Sequence, residues 1–327
     1  MKRMALPLLI VAGLTTSALA ADMATKAPPA PPAPPPSPWD IAITAALMTD
    51  YNFRGITQSA HQPSGQAGFE LRYTVSPMWQ YYAGISGESI DFPNRAAAEI
   101  DFYGGVRPTF DKLALDFGVW YYWYPGGECF NNGAITPGAA CGPPGSPGVT
   151  SLPNFNVIKG NLSFVEVYAK ATYTINDQWA AGIQEWYSPS VLNSGADGWY
   201  TVGNVTYTVP TTMLPSGIGM SVSGDLGYWA LGTSDSFYAV TGFPNGIPYK
   251  SYWNWDAGVA FTYKAFTLDL RYYDTNLNKG DCNAFTSDHT ASGIASTAIN
   301  PGGPASNWCS TAFIAKLTFA TNLSSIK

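Results

Sequence analysis

The stretch Leu113-Ala114-Leu115-Asp116-Phe117-Gly118-Val119-Trp120-Tyr121-Tyr122-Trp123-Tyr124 decides the fold. Leu113, Leu115, Phe117, Val119, Tyr121 and Trp123 share one parity and are wholly apolar, while the other parity carries Asp116 and Gly118. Side chains two apart lie on one face of a strand; a helix would scatter these same residues around its circumference. The segment therefore reads as a strand with a greasy face and a wet one.

The same alternation recurs along the chain. It predicts strands near 40–53, 67–75, 79–90, 99–110, 113–124, 163–175, 178–187, 199–209, 218–231, 252–263, 265–274 and 311–321. Most reach the roughly 9–11 residues with which a tilted strand crosses a bilayer. Tight turns at Ser76-Pro77, Asp111-Lys112, Asn176-Asp177 and Lys264-Ala265, with a modest one from Pro210 to Gly217, alternate with longer loops at 54–66, 91–98, 125–162, 188–198, 232–251 and 275–310. Outer-membrane barrels keep periplasmic turns short and extracellular loops long, with an even strand count. A soluble sandwich has no cause to sort its connections this way. The expected fold is all-β, a transmembrane antiparallel barrel of about 12 strands over residues 39–323, with both ends in the periplasm.

Facing gives a second test. Parity sends Ile41, Ile43, Leu47, Tyr51, Phe53, Phe69, Leu71, Tyr73, Val75, Ile85, Ile100, Phe102, Val106, Val165, Val167, Leu226, Val259, Phe261, Leu268, Leu270 and Leu317 outward, none of them charged. It sends inward Asp50, Arg54, Glu70, Arg72, Glu88, Glu99, Asp101, Arg107, Asp116, Glu166, Lys170, Asp225, Asp256, Asp269, Arg271 and Lys316. A charge facing lipid at mid-depth costs about 2–4 kcal/mol, so a bilayer imposes this one-sided sorting. Aromatic girdles are expected at Trp79, Tyr81, Phe110, Trp179 and Tyr263 on the periplasmic side, and at Tyr51, Trp123, Trp253, Trp255 and Tyr272 on the other. Glu185 interrupts the pattern and predicts a bulge or an early exit in the seventh strand.

Composition agrees. Charged residues are 12% of the chain, against roughly 25% in soluble domains, while aromatics reach 14%. Beyond the first twenty residues no apolar run is long enough for a spanning helix. A net charge of −6 argues against nucleic acid. Lys2 and Arg3, the apolar Met4 to Leu14, and Ala18-Leu19-Ala20 read as a signal peptide over 1–20. Residues 21–38 form a Pro/Ala-rich spacer, extended from Pro28 to Pro38. The expected destination is the bacterial cell outer membrane, in contact with its lipid and with the barrel-assembly machinery. Cys129, Cys141, Cys282 and Cys309 allow three pairings. Cys129–Cys141 and Cys282–Cys309 are preferred because each pair falls in one predicted loop. Without a Cys-x-x-Cys spacing no zinc is expected, and neither is any other metal or cofactor.

Asp50-Tyr51-Asn52-Phe53-Arg54-Gly55-Ile56-Thr57-Gln58-Ser59 resembles the TorF-like porin family of bacteria, formerly described as conserved proteins of unknown function. The resemblance continues through Tyr82-Ala83-Gly84, Glu99-Ile100-Asp101, Trp123-Tyr124-Pro125-Gly126, Phe164-Val165-Glu166-Val167-Tyr168 and Tyr273-Asp274-Thr275-Asn276. It implies an outer-membrane barrel of porin type, with no known catalytic residue and no settled solute. Two features depart from the pattern. The cysteine-bearing loops look like insertions, and the chain finishes Leu323-Ser324-Ser325-Ile326-Lys327 where barrels usually end on an aromatic, a role Phe319 would take.

Several site readings stand side by side. Arg54 either reaches over a pore mouth, as rings of charge do in channels, or pairs with Asp50 or a neighbouring acid to fix its loop. The inward charges either line a wet, mildly cation-preferring lumen for small solutes or interlock and close it, since twelve strands lie between a filled eight-stranded barrel and an open sixteen-stranded one. Tyr103, Trp120, Tyr122, Tyr124 and Tyr168 also point inward and narrow the bore. His61 and His289 read as solvent-exposed residues of the first and last loops, a metal or proton-sensing pair being the rival. No Gly-x-Ser-x-Gly elbow occurs and neither histidine falls on a strand, so an outer-membrane hydrolase is not expected. A closed barrel acting through its loops, as an adhesin or structural element, is the alternative to a passive channel.

Overall fold

The computed structural model describes residues 37–131, 141 and 151–325; the expected signal peptide, and the spacer up to residue 36, lie outside them. Twelve strands follow one another: β1 (Trp39–Met48), β2 (Ser64–Ser76), β3 (Trp79–Glu88), β4 (Glu99–Phe110), β5 (Leu113–Trp123), β6 (Phe164–Thr174), β7 (Trp179–Ser188), β8 (Gly198–Thr208), β9 (Ile218–Leu231), β10 (Tyr252–Tyr263), β11 (Phe266–Thr275) and β12 (Ala312–Asn322). Each pairs antiparallel with its sequence neighbours, and β1 closes on β12 from Ala42↔Asn322 to Met48↔Lys316. Closure pairs every edge.

The outer wall is apolar. Leu47, Phe69, Val75, Val119, Val167, Ile183, Leu226 and Leu317 are all exposed, as a surface meant for lipid must be. Exposed aromatics rim it at both ends. Trp79 packs edge-on against Phe110 and Trp179 against Tyr207 at the short-turn end, while Tyr187 meets Trp199 and Tyr228 meets Trp253 at the loop end. This is the exterior of a membrane-spanning barrel of the outer-membrane type.

Three local expectations are corrected. The first strand stops at Met48 instead of running to 53, so Tyr51 and Phe53 do not face lipid. The chain folds back because the Asp50 carboxylate accepts hydrogen bonds from the Thr57 and Ser59 hydroxyls. Between them Asn52-Phe53 pairs with Ile56-Thr57, turning through Arg54 (φ 53°) and Gly55 (φ 83°). Gly55 fits that turn without strain, and any Cβ there would lie 2.3 Å from Thr275 Cγ2. Second, Glu185 causes no bulge, for β7 keeps unbroken register with β6 and β8. Its carboxylate lies on the outer parity and accepts the Thr201 hydroxyl at 2.8 and 2.9 Å, beside the Tyr187–Trp199 girdle pair, where the cost of a charge is lower than at mid-depth. A register shift falls instead between β2 and β3, at Thr74/Ser76. Third, the last long connection contains a helix, α1 (Lys279–Thr286), whose Asn278 side chain caps the Gly280 and Asp281 amides.

Candidate functional site in the barrel lumen

The loop end of the barrel is filled. Phe53, carried inward by the short hairpin, packs edge-on against Tyr122 of β5 and Trp229 of β9. Around it the long connections contribute Phe92, Phe130, Leu152, Ile158, Leu162, Tyr238, Tyr249, Phe285 and Trp308 to one continuous buried cluster. The space left among them is about 40 Å³, room for little more than a water. Cys129–Cys141 and Cys282–Cys309 both form, and they staple two of these loops as their spacing predicted.

Arg54 is the centre of this cap. Its guanidinium donates to both oxygens of Glu166 on β6, at 2.9 and 2.7 Å, with the side chains 5% and 0% exposed. Tyr122 donates to the same carboxylate at 3.1 Å. The rings of Phe53, Tyr200 and Trp229 lie 4.3–4.6 Å from the guanidinium carbon. Tyr252 holds the Arg54 carbonyl at 2.9 Å. Of the two sequence readings, the ion-pairing one describes the geometry, but the partner is Glu166 from the far wall and not Asp50. Asp50 instead takes Thr57, Ser59 and His61.

Below the cap the charged side chains gather on two walls. On one, Arg107 of β4 grips Glu70 of β2 through two bonds of 2.7 and 2.9 Å and reaches Asp116 of β5 at 3.3 Å. Arg72 also bonds Glu70, at 2.6 Å. Tyr82 lies under the Arg107 guanidinium, donates to Asp116 at 2.6 Å, and meets the Tyr168 hydroxyl. Lys170 rests over Tyr168 and Trp186. On the other wall Arg271 of β11 joins Asp256 at 2.5 Å, Asp269 at 3.1 Å and Ser223 at 2.7 Å, and Asp225 faces Asp256 in register.

The remaining inward acids sit at the loop end of β3 and β4. Glu99 accepts from Tyr51 at 2.5 Å and from Tyr124 at 2.7 Å, Glu88 from Gln66 at 2.7 Å, and Asp101 from Ser86 at 3.3 Å. Lys316 bonds Gln66 at 3.0 Å. Each histidine engages an acid. His61 Nδ1 meets Asp50 at 2.9 Å and its Nε2 the Asn307 carbonyl at 3.1 Å, so it ties the first loop to the last. His289 lies 3.5 Å from Asp91 and edge-on to Trp308. His61 is exposed, as expected, whereas His289 is only partly so, because it packs against Trp308.

Sequence reasoning placed Tyr122 inward but missed four other aromatics of the site. Trp186, Tyr200, Trp229 and Tyr252 all enclose Arg54, and inward parity was the available signal for each. Glycines opposite rings were a second signal. A Cβ on Gly84, Gly118 or Gly227 would lie 2.3–2.6 Å from the ring ends of Tyr103, Tyr168 and Tyr200 respectively. Those rings cross the bare backbone of the neighbouring strand.

A family model described as a bacterial protein of unknown function (Gcw_chp) matches residues 32–138. No curated protein sequence matches the chain. Among solved structures, the NanC porin aligns over 85% of this chain and 98% of its own, with 8% identity and a TM-score of 0.39. An outer membrane channel from Pseudomonas putida F1 aligns over 89% and 97%, with 9% identity and a TM-score of 0.41. LpxR from Salmonella typhimurium aligns over 85% and 99%, with 7% identity and a TM-score of 0.39. No residue role passes from these proteins to this one.

Proposed function

We propose that the chain is an outer-membrane channel for passive movement of small polar solutes or ions, narrow, mildly cation-preferring, and constricted at its outer mouth by the Arg54–Glu166 pair and the loop cluster packed around it. One observation carries this reading. Among the described residues no hydrogen bond or ion pair joins the Glu70–Arg107–Asp116 wall to the Asp256–Arg271–Asp269 wall, and each set of charges is satisfied within its own side. A lumen built to be solid would interlock them. Acids outnumber bases on these walls, which favours cations.

The test is conductance of purified, folded protein in planar bilayers, with the reversal potential read under a salt gradient. Discrete steps with cation preference are expected, and Glu166→Gln, which loosens the cross-lumen pair, raises the step size. A folded protein that gives no steps, with or without Glu166→Gln, overturns the channel reading. A second reading, a closed barrel acting through its loops, draws on the buried cap and on a surface groove of about 370 Å³ lined by Asn154, Asn156, Asn283 and Asn300. Silence in the bilayer would favour it.

A further inference from the structure

At the loop end of β3 and β4 three acids converge without a base among them. One carboxylate oxygen from each of Glu88, Glu99 and Asp101 lies within 4.8 Å of the others, and the residues are only 2–3% exposed. Register explains the convergence. Glu88 pairs with Glu99 directly, and Asp101, two residues on, returns to the same face. Like charges set opposite each other destabilise a sheet, so such a pair needs a reason.

Two buried oxygens here have no partner. Glu88 Oε2 and Asp101 Oδ1 have no partner in normal hydrogen-bonding geometry, although their sister oxygens are served by Gln66 and Ser86 and the Ser86 hydroxyl also acts on Glu88. The neighbouring donor, the indole N–H of Trp120, acts on Asp101 from outside hydrogen-bonding geometry and is itself unpaired. Lys316 faces the group and its charge acts on Glu88, but its hydrogen bond goes to Gln66 and not to a carboxylate. A buried carboxylate oxygen with nothing to bind costs several kcal/mol in general terms. Tyr51 and Tyr124, by donating to Glu99, hold its carboxylate in place, as outer partners do around metal ligands.

We infer that Glu88, Glu99 and Asp101 form a divalent-cation site of Ca²⁺ type beneath the cap, with the unpartnered Glu88 Oε2 and Asp101 Oδ1 as ligand atoms. The donor set is all oxygen, which selects a hard cation over zinc or copper. Three protein carboxylates converging on one point suit Ca²⁺, whereas Mg²⁺ is usually held by one or two carboxylates and keeps several waters. Tyr51 belongs to the segment that carries Arg54, so the ion would fasten the base of the cap to β3 and β4.

The experiment uses the full folded chain in detergent after EDTA treatment. Terbium titration, excited through the tryptophans and tyrosines, reports binding, and thermal unfolding is followed with and without CaCl₂. Wild type is expected to give saturable terbium emission that Ca²⁺ displaces, and a melting temperature raised by Ca²⁺. Asp101→Asn should weaken binding at least about tenfold, and Glu88→Gln with Asp101→Asn should abolish both responses while the protein stays folded, because both changes relieve repulsion. Asp225→Asn, on the opposite wall, should leave both responses intact. Folded wild type without displaceable emission or Ca²⁺-dependent melting would overturn the site, as would emission that survives the double substitution. Acid-induced stabilisation that CaCl₂ cannot reproduce would also overturn it, showing that protons neutralise the group instead.

Discussion

The two ends of the lumen solve the same problem in opposite ways. At the loop end a buried arginine crosses the bore to an acid on the far side and is walled in by rings; towards the short turns, Arg107 and Arg271 bond only to groups on their own side. Side-chain exposure follows the division, at 5% for Arg54 against 30% for Arg107 and 14% for Arg271. A charge bonded across the bore belongs to closure. One bonded along the wall makes no contact across the bore.

The sharpest way to break this contrast is Arg54→Ala. It strands Glu166 uncompensated in a buried site, and losses of about 3–5 kcal/mol follow from such changes. Denaturant or thermal unfolding in detergent should show a large destabilisation, and Glu166→Gln introduced with it should recover part of the loss. A loss under about 1 kcal/mol would mean that water reaches Glu166 and that the cap is open. Replacing Cys282 and Cys309 by serine comes next. The bridge closes a loop within the buried cluster, and its loss should cost about 2–4 kcal/mol, confined to the outer end. Hydrogen exchange should rise in α1 and around Trp308 while β11 and β12 stay protected.

Asp225→Asn probes the other region. Its carboxylate makes no ion pair among the described residues, so stability should change by only about 0.5 kcal/mol, in either direction. Cation preference in the bilayer should nevertheless fall measurably. The smallest effect concerns His61. The hydrogen bond to Asp50 raises its pKa above the ordinary value of about 6.5. A histidine held above its unfolded value stabilises fully below about pH 6.5 and loses that contribution as pH rises through the raised value. The contact between the first and last loops should therefore loosen with rising pH, seen as faster exchange of the amides around Asn307. His61→Gln should remove the pH dependence.

The barrel was legible because membrane strands obey a two-residue rule at every step. Leu113 to Trp123 and its eleven companions could be placed within a few residues, and most outward side chains with them. The rule fails where the chain leaves the wall. Tyr51 and Phe53 kept the outward parity in sequence, yet three hydrogen bonds to Asp50 turned the segment inside out. The loop cap was illegible for a related reason, since Phe92, Leu162, Tyr249 and Trp308 carry no periodicity that announces burial. The charged residues were named individually, but parity says nothing of which acid meets which base. Arg54 found Glu166 only through closure of the ring, and the three convergent acids are joined by register across strands, not by spacing along the chain.

The seam between β1 and β12 has a consequence for biogenesis. Strands that meet there are separated by nearly the whole barrel in sequence, so each keeps one row of amides unmatched until the two ends of the sheet come together. The His61 contact with Asn307 joins loops on the two sides of that seam, and cannot set before it closes. Stalled insertion intermediates should therefore carry an unsealed outer end, reachable by protease from the cell surface, in molecules whose middle strands are already at home in lipid.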